Sequence, residues 1–251
     1  MSSAKGGVGK TTLTSNLAAA LAYLGENVIA MDANLTTPNL GLHLGMHLTP
    51  NTLHNALKGE CRLKDAIYPH PYGFKVIPAS LGLNDLKGVD VGRLPEISLN
   101  LIGKADYVIL DCAAGLGREA ISALSASNEA IIVTNPNIPS VADALKILNI
   151  AKETNVKIIG TVINRVKRDP SELTKNEIVN MLKIPIIAEI PEDPTIALSI
   201  AAKKPLVRFS PYSPAAIEIK KLASRLSGKK YQEEIIEKKG RLKKIVRWLI
   251  G

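Results

Sequence analysis

The sequence predicts an α/β fold, a doubly wound and mostly parallel sheet with helices on both faces. Three observations carry that prediction. Six short apolar runs recur along the chain: VIAM (28–31), KVIPA (75–79), YVILD (107–111), AIIVT (130–134), KIIGTVIN (157–164) and PIIAEI (185–190). They are continuous rather than alternating, the pattern of strands buried on both faces of a parallel sheet. Helical stretches separate most of them, and alternating strands and helices wind into a layered α/β domain. The chain also opens on a glycine-rich segment, AKGGVGKTT (4–12), that runs straight into an apolar-patterned helix.

Taken in order, the elements raise one problem at the start. A phosphate-binding loop follows a central buried strand, yet only Met1, Ser2 and Ser3 precede Ala4. Either that strand is very short or the start is truncated or misassigned. Thr11 to Leu24 reads as a helix, with Leu13, Leu17, Ala20, Leu21 and Leu24 on one face and Gly25 as the stop. Further helices are expected over 92–104, 117–127, 139–154, 171–183 and 211–227. A boundary is expected near Gly228, dividing a main domain (1–228) from a basic linker and short helix (229–251).

Composition narrows the function classes. The chain has 251 residues, 46% of them hydrophobic and 22% charged, enough for one sizeable core. Cys61 and Cys112 are far apart and form no C-x-x-C, which argues against a disulfide framework and against zinc or iron–sulfur ligation. A reducing cytoplasm fits. No signal peptide is visible, and no run of 18 apolar residues is present to span a membrane. The four histidines (43, 47, 54, 70) lack metal-ligand spacing. His43 and His47 read as surface or core positions on a short helix, and Cys112 as a packing residue. The net charge is +9, and between Gly228 and Gly251 eight lysines and arginines face three glutamates. Such a basic tail attracts anionic lipid or nucleic acid.

The segment 4–12 has the chemistry of a phosphate cradle. Gly6, Gly7 and Gly9 let the backbone curl so that its N–H groups, with those of Val8 and Thr12, point at phosphate oxygens. The helix that follows adds the positive end of its dipole. Lys10 is placed to reach the β- and γ-phosphates, and the Thr11 hydroxyl to sit on Mg²⁺. Asp32 ends an apolar strand, where open α/β sheets place ligand-binding groups. Asp111 ends another, as the Mg²⁺-associated carboxylate of such sites does.

With Lys5 near its start, AKGGVGKTT resembles the deviant phosphate loop x-K-G-G-x-G-K-[ST] of the MinD/ParA family of ATPases, although Ala4 stands where the general loop has glycine. The resemblance runs from Ala4 to Gly228 and is closest to archaeal MinD-like proteins. It implies ATP or ADP with Mg²⁺ as cofactors, and a homodimer across ATP in which Lys5 touches the partner's nucleotide. DANLTTPNLGLHLG (32–45) resembles switch I, with Asp32 holding Mg²⁺ through water. Asn34 replaces the family's second aspartate, which positions the attacking water. An amide is a poor base, so hydrolysis is expected to be slow; the alternative is that Asn34 only caps the turn. DCAAGLG (111–117) resembles switch II, with Ala113 in place of proline and the Gly115 N–H offered to the γ-phosphate. TNPNIPSVADALK (134–146) resembles a stretch near the dimer interface. Asn164 and Arg165 match the pair whose asparagine reads the adenine edge, and Pro191, Glu192 and Asp193 match the segment beside the base. The resemblance thus implies Lys5, Lys10, Asn34 and Asp111 for catalysis, and Thr11, Asp32 and Asp111 for the metal.

The tail GRLKKIVRWLIG (240–251) patterns as a short basic amphipathic helix. Leu242, Ile245, Val246, Leu249 and Ile250 fall within roughly 140° of arc, with Trp248 at the edge. It resembles the membrane-targeting helix of bacterial MinD; docking on its own domain or on a partner protein is the alternative. The combined expectation is an ATPase that dimerises on ATP, attaches reversibly to the inner face of the cell membrane through its tails and answers to an unidentified activating or cargo protein. A ParA-like DNA-partitioning protein, a placement protein for a surface machine and a nucleotide-locked scaffold are the other readings.

Overall fold

The computed structural model describes residues 1–230. Its strands follow the expected runs: β1 (Val28–Ala33), β2 (Tyr68–Pro69), β3 (Lys75–Ile77), β4 (Tyr107–Cys112), β5 (Glu129–Thr134), β6 (Lys157–Val166) and β7 (Ile186–Pro191). One sheet has the order β2-β3-β1-β4 and the other β5-β6-β7. All pairings are parallel except the short β2–β3 pair.

Met1–Ser3 join the two sheets. The Met1 nitrogen donates to the Leu110 carbonyl (2.7 Å), and the Cys112 N–H to the Met1 carbonyl (3.3 Å). On the other side, Ser2 N–H donates to Ile131 O (3.0 Å) and Val133 N–H to Ser2 O (2.9 Å). Residues Met1–Ser3 thus occupy the central position between β4 and β5.

The continuous apolar runs have a direct cause. Val28 and Ala30 face a core shared with Leu13, Leu17, Leu21, Ile219 and Leu222, while Ile29 and Met31 face a second core with Leu53, Leu57, Leu94 and Ile97. Ile131 and Val133 likewise face the first core, and Ile132 packs with Val141, Ile147 and Ile163 on the opposite side. Successive strand residues point to opposite faces, and helices cover both, so the runs stay apolar from one residue to the next.

The helices are α1 (Lys10–Tyr23), α2 (Leu40–Leu44), α3 (Leu53–Lys58), α4 (Leu94–Leu99), α5 (Arg118–Ser125), α6 (Ile138–Glu153), α7 (Lys175–Leu182), α8 (Thr195–Ala201), α9 (Leu206–Phe209) and α10 (Pro214–Ser227). Two expected helices are shorter than anticipated. Instead of 92–104, a 3₁₀ turn (Val91–Arg93) leads into α4. The chain then closes in three-residue bonds from Asn100, Leu101, Ile102 and Lys104. Helix α7 starts at Lys175 rather than 171 because Thr174 and Glu177 form a capping box that fixes its first turn. Asn16 ties α1 to α9, donating to Thr12 O (2.8 Å) and accepting from Val207 N–H (3.0 Å). The expected amphipathic helix in 240–251 lies outside the described residues. Among the described residues, no helix is long and apolar enough to cross a membrane.

Candidate functional site

The phosphate loop sits at the carboxyl ends of the central strands. Gly9 takes φ 100° and caps α1, and a Cβ added there would collide with the Asn164 side-chain amide. Left-handed backbone and lack of space both require glycine. Asn164 in turn donates to the Val8 carbonyl (2.7 Å), and its own carbonyl accepts from Asn135 Nδ2 (2.9 Å). The residue expected to read adenine is thus packed against the loop through its amide nitrogen, leaving Oδ1 as its acceptor. Arg165 follows at φ 59°, at the irregularity where β6 passes from Asn164 to Val166 against β7.

Lys10 is buried and donates from Nζ to Ser3 Oγ (2.9 Å), whose hydroxyl donates to the Lys5 carbonyl (2.8 Å). Burial pushes the Lys10 pKa down, against the charges of Asp111 and Cys112. Lys5, Gly6 and Gly7 are exposed.

Asp32 and Asp111 are paired in register across β1 and β4 and are both fully buried, with Cα atoms about 4.8 Å apart. Asp32 accepts from the backbone amides of Asn34 (3.2 Å) and Leu40 (2.9 Å). Both Asp111 oxygens lie buried without a hydrogen-bond partner. Burial, then the charge of Asp111, raises the Asp32 pKa well above the usual carboxylate range. Burial also raises Asp111, opposed by the nearby charges of the amino terminus and Lys10. Two carboxylates beside each other, one of them orphaned, are an arrangement that a cation resolves. Among the described residues no group of three or more His, Cys, Asp or Glu could hold a metal. Mg²⁺ is commonly bound through one or two protein groups, substrate phosphates and water rather than an all-protein cage. Thr11, Asp32 and Asp111 are the residues that would hold it, and the ion would neutralise phosphate charge.

Three of the expected site residues are held by partners within the chain. Asn34 folds back on its own turn: Nδ2 donates to Thr37 O (2.6 Å), and Oδ1 accepts from Thr37 N–H (3.3 Å) and Oγ1 (3.1 Å). It is a turn cap in this conformation. The Gly115 N–H donates to Ser3 O (3.3 Å) because the Ser3–Ala114 bridge extends the ladder to it. Reaching a phosphate requires leaving that partner. The Asp193 carboxylate is engaged within the chain. It accepts from Thr195 N–H (2.9 Å), Thr195 Oγ1 (2.5 Å) and Ala215 N–H (3.3 Å), tying the starts of α8 and α10 together. Burial pushes its pKa up, but the hydrogen bonds from Thr195, Ser213 and Ala215 outweigh it and leave the pKa lowered. Pro191 and Val166 line a cleft of about 960 Å³ with Lys167, Arg168, Glu192 and Pro214. This cleft flanks the base-side residues rather than covering the phosphate loop.

Two side chains beside the segment 34–37 were not singled out from the sequence. The Glu119 carboxylate, in the first turn of α5, accepts from Leu35 N–H, Thr36 N–H (3.0 Å) and Thr36 Oγ1 (2.7 Å). His54 is buried with Nε2 3.2 Å from the Leu35 carbonyl, and Nδ1 accepts from Ser80 N–H (3.0 Å). Neither residue lies in a recognisable motif. Only the packing of α3 and α5 beside 34–37 makes them neighbours.

The model of the CobQ/CobB/MinD/ParA nucleotide binding domain matches residues 1–206. The chain belongs to that family. An ATP-binding protein of Methanocaldococcus jannaschii is 39% identical over 252 residues, covering all of this chain and 96% of that protein. The septum site-determining protein MinD of Pyrococcus horikoshii, solved with Mg-ADP, superimposes with a TM-score of 0.87 at 37% identity, over 90% of this chain and 93% of that one. MinD of Aquifex aeolicus, solved as a MinC:MinD cell division protein complex, gives 0.79 at 28% identity, over 93% and 96%. The fold is that of MinD, a mostly parallel phosphate-loop NTPase sheet. This member of the MinD/ParA family is an ATPase of that fold, with adenine nucleotide and Mg²⁺ as its cofactors.

Proposed function

We propose that this protein is a MinD-like positioning ATPase. ATP joins two copies, the dimer attaches peripherally to anionic membrane from the cytoplasmic side, and hydrolysis releases it. The observation that carries this reading is the pairing of two lysines on one loop. Lys10 turns inward to Ser3 beside Asp111, whereas Lys5 stands exposed at the loop's rim. Lys10 serves the chain's own phosphates, and Lys5 is free to serve those of a second copy. Gly6, Gly7, Val8, Gly9, Thr11 and Thr12 cradle the phosphates, and Asn164, Arg165 and Pro191 border the base. The membrane contact is assigned to the basic tail, 229–251. Two weak tails on one dimer bind far better than one, so nucleotide state controls attachment.

Hydrolysis is slow in this reading, because Asn34 is held in its own turn and an amide cannot take a proton as a carboxylate does. An activating or cargo protein, as MinC accompanies MinD in the Aquifex complex, sets when the cycle turns. The test is pelleting with anionic liposomes in ATP, in ADP, and with a chain ending at Gly228. Pelleting only by the full chain in ATP is expected. Equal pelleting in all three overturns the reading, and salt-sensitive binding to DNA that survives removal of the tail replaces it with a partitioning role.

A further inference from the structure

Residues 34–37 carry Asn34, whose side chain bonds to Thr37 within the turn, and the segment is also held from outside. Its backbone is gripped from two sides. On one side the Glu119 carboxylate takes three donors, the N–H groups of Leu35 and Thr36 and the Thr36 hydroxyl. On the other, His54 Nε2 meets the Leu35 carbonyl. Because Ser80 N–H donates to His54 Nδ1, that nitrogen is unprotonated and Nε2 carries the proton. A hydrogen-bonded line therefore runs from Ser80 through His54, Leu35 and Thr36 to the start of α5.

A carboxylate in the first turn of a helix ordinarily serves its own helix's unpaired N–H groups and dipole. Glu119 instead gives both oxygens to a segment more than eighty positions earlier in the chain. Bonds from N–H and O–H groups to a charged acceptor are among the stronger hydrogen bonds.

We propose that Glu119 is a positioning residue for ATP hydrolysis, coupling the placement of Asn34 to the state of the segment 113–117. This inference rests on the ATPase reading above. Gly115 is held on Ser3 O at 3.3 Å, and α5 begins at Arg118, just beyond it. When the Gly115 N–H exchanges that carbonyl for a phosphate oxygen, the displacement passes into the first turn of α5. Glu119 carries it to Leu35 and Thr36, and so to Asn34. His54 anchors the far side, so the segment pivots rather than drifts. Without Glu119 the two segments read nucleotide independently.

The test compares the full chain with Glu119→Ala and Glu119→Gln. Three quantities are measured: affinity for ATP and ADP, steady-state kcat and KM, and amide exchange over 33–40 with a non-hydrolysable ATP analogue and with ADP. Glu119→Ala is expected to change affinity and KM by less than about threefold, to lower kcat at least tenfold, and to abolish the difference in 33–40 exchange between the two nucleotides. Glu119→Gln, which keeps an acceptor for Leu35 and Thr36, is expected to recover part of both effects, and it decides the matter if the alanine variant does not fold. Parent-like kcat and parent-like nucleotide-dependent exchange in the variants overturn the proposal. If the parent binds ATP without measurable turnover, the exchange comparison alone decides. A parent that binds no ATP overturns the ATPase reading itself.

Discussion

At the scale of single residues, the informative groups are those whose local environment is unfavourable without a ligand. Asp111 is buried with both oxygens unpartnered, beside a second buried carboxylate. Removing its charge relieves the apo protein and damages the loaded one. Asp111→Asn is therefore expected to raise the apo protein's stability by about 1–3 kcal/mol, the scale of a relieved buried charge. The same change is expected to weaken nucleotide binding in Mg²⁺ by tenfold or more while altering binding in EDTA little. Denaturant titration and nucleotide titration with and without Mg²⁺ check the two halves. Gly9→Ala carries the opposite signature. Its methyl group meets the Asn164 amide, and its φ of 100° strains any side chain. Nucleotide affinity is expected to fall at least a hundredfold with or without Mg²⁺, because the cradle itself is deformed. The glycine-rich loop and the strand-end positions of Asp32 and Asp111 were legible in the sequence because spacing along the chain fixes them. Glu119 and His54 were not, because their partners lie 83 and 19 positions away in sequence. The hydrogen bonds that Asp193 accepts from Thr195 and Ala215 are visible only in three dimensions.

At the scale of elements, strands were easier to foresee than short helices, for a physical reason. A strand buried on both faces needs an unbroken apolar run, and β1, β4, β5 and β6 each show one. Helices α2, α3, α8 and α9 have 5, 6, 7 and 4 residues, two turns or fewer, too few for a helical period to repeat. One of these, α3, carries the pH-sensitive anchor. Burial lowers the pKa of His54, opposed in part by the Leu35 carbonyl, so the folded state binds protons less readily than the unfolded chain. Stability supplied by neutral His54 is present above the ordinary histidine value of about 6.5 and is lost as pH falls below it. His54→Gln keeps a donor for Leu35 O but loses the acceptor for Ser80 N–H. It is expected to cost about 1–2 kcal/mol at pH 8 and to lose less stability than the parent between pH 7 and pH 5. Urea midpoints across that range test it. His43 and His70 also have lowered values from burial, and they remain in both proteins, so the difference isolates His54. Parallel midpoint curves for the two proteins would show that His54 is not the sensor.

At the scale of the whole molecule, the seam between the two sheets is bridged by three residues. Met1, Ser2 and Ser3 bridge only the upper ends of β4 and β5. Below Met1 a cleft of about 500 Å³ opens between the strands, lined by Tyr107, Val108, Glu129, Ile131 and Leu226 among others. Strand residues turn their N–H and C=O alternately to the two neighbours. Since Leu110 and Cys112 bond to Met1, Val108 on β4 faces the cleft; since Ile131 and Val133 bond to Ser2, so does Glu129 on β5. The geometry is that of a slot for one parallel strand continuing Met1 downward, with side chains alternating between the two cores. Four apolar β-forming residues placed ahead of Met1 are therefore expected to pair with both strands. Burying three or four such side chains contributes about 1.5–3 kcal/mol each, offset by about 1–2 kcal/mol per residue ordered. The net gain is about 2–3 kcal/mol, or a rise in melting temperature of about 5–10 °C for a chain of this size. A four-residue polar extension of equal length lacks the buried area and is expected to leave melting unchanged. The apolar extension should also slow amide exchange at Val108 and Glu129, which measures the pairing directly. Equal melting and equal exchange for the two extensions would show that the slot does not accept a strand.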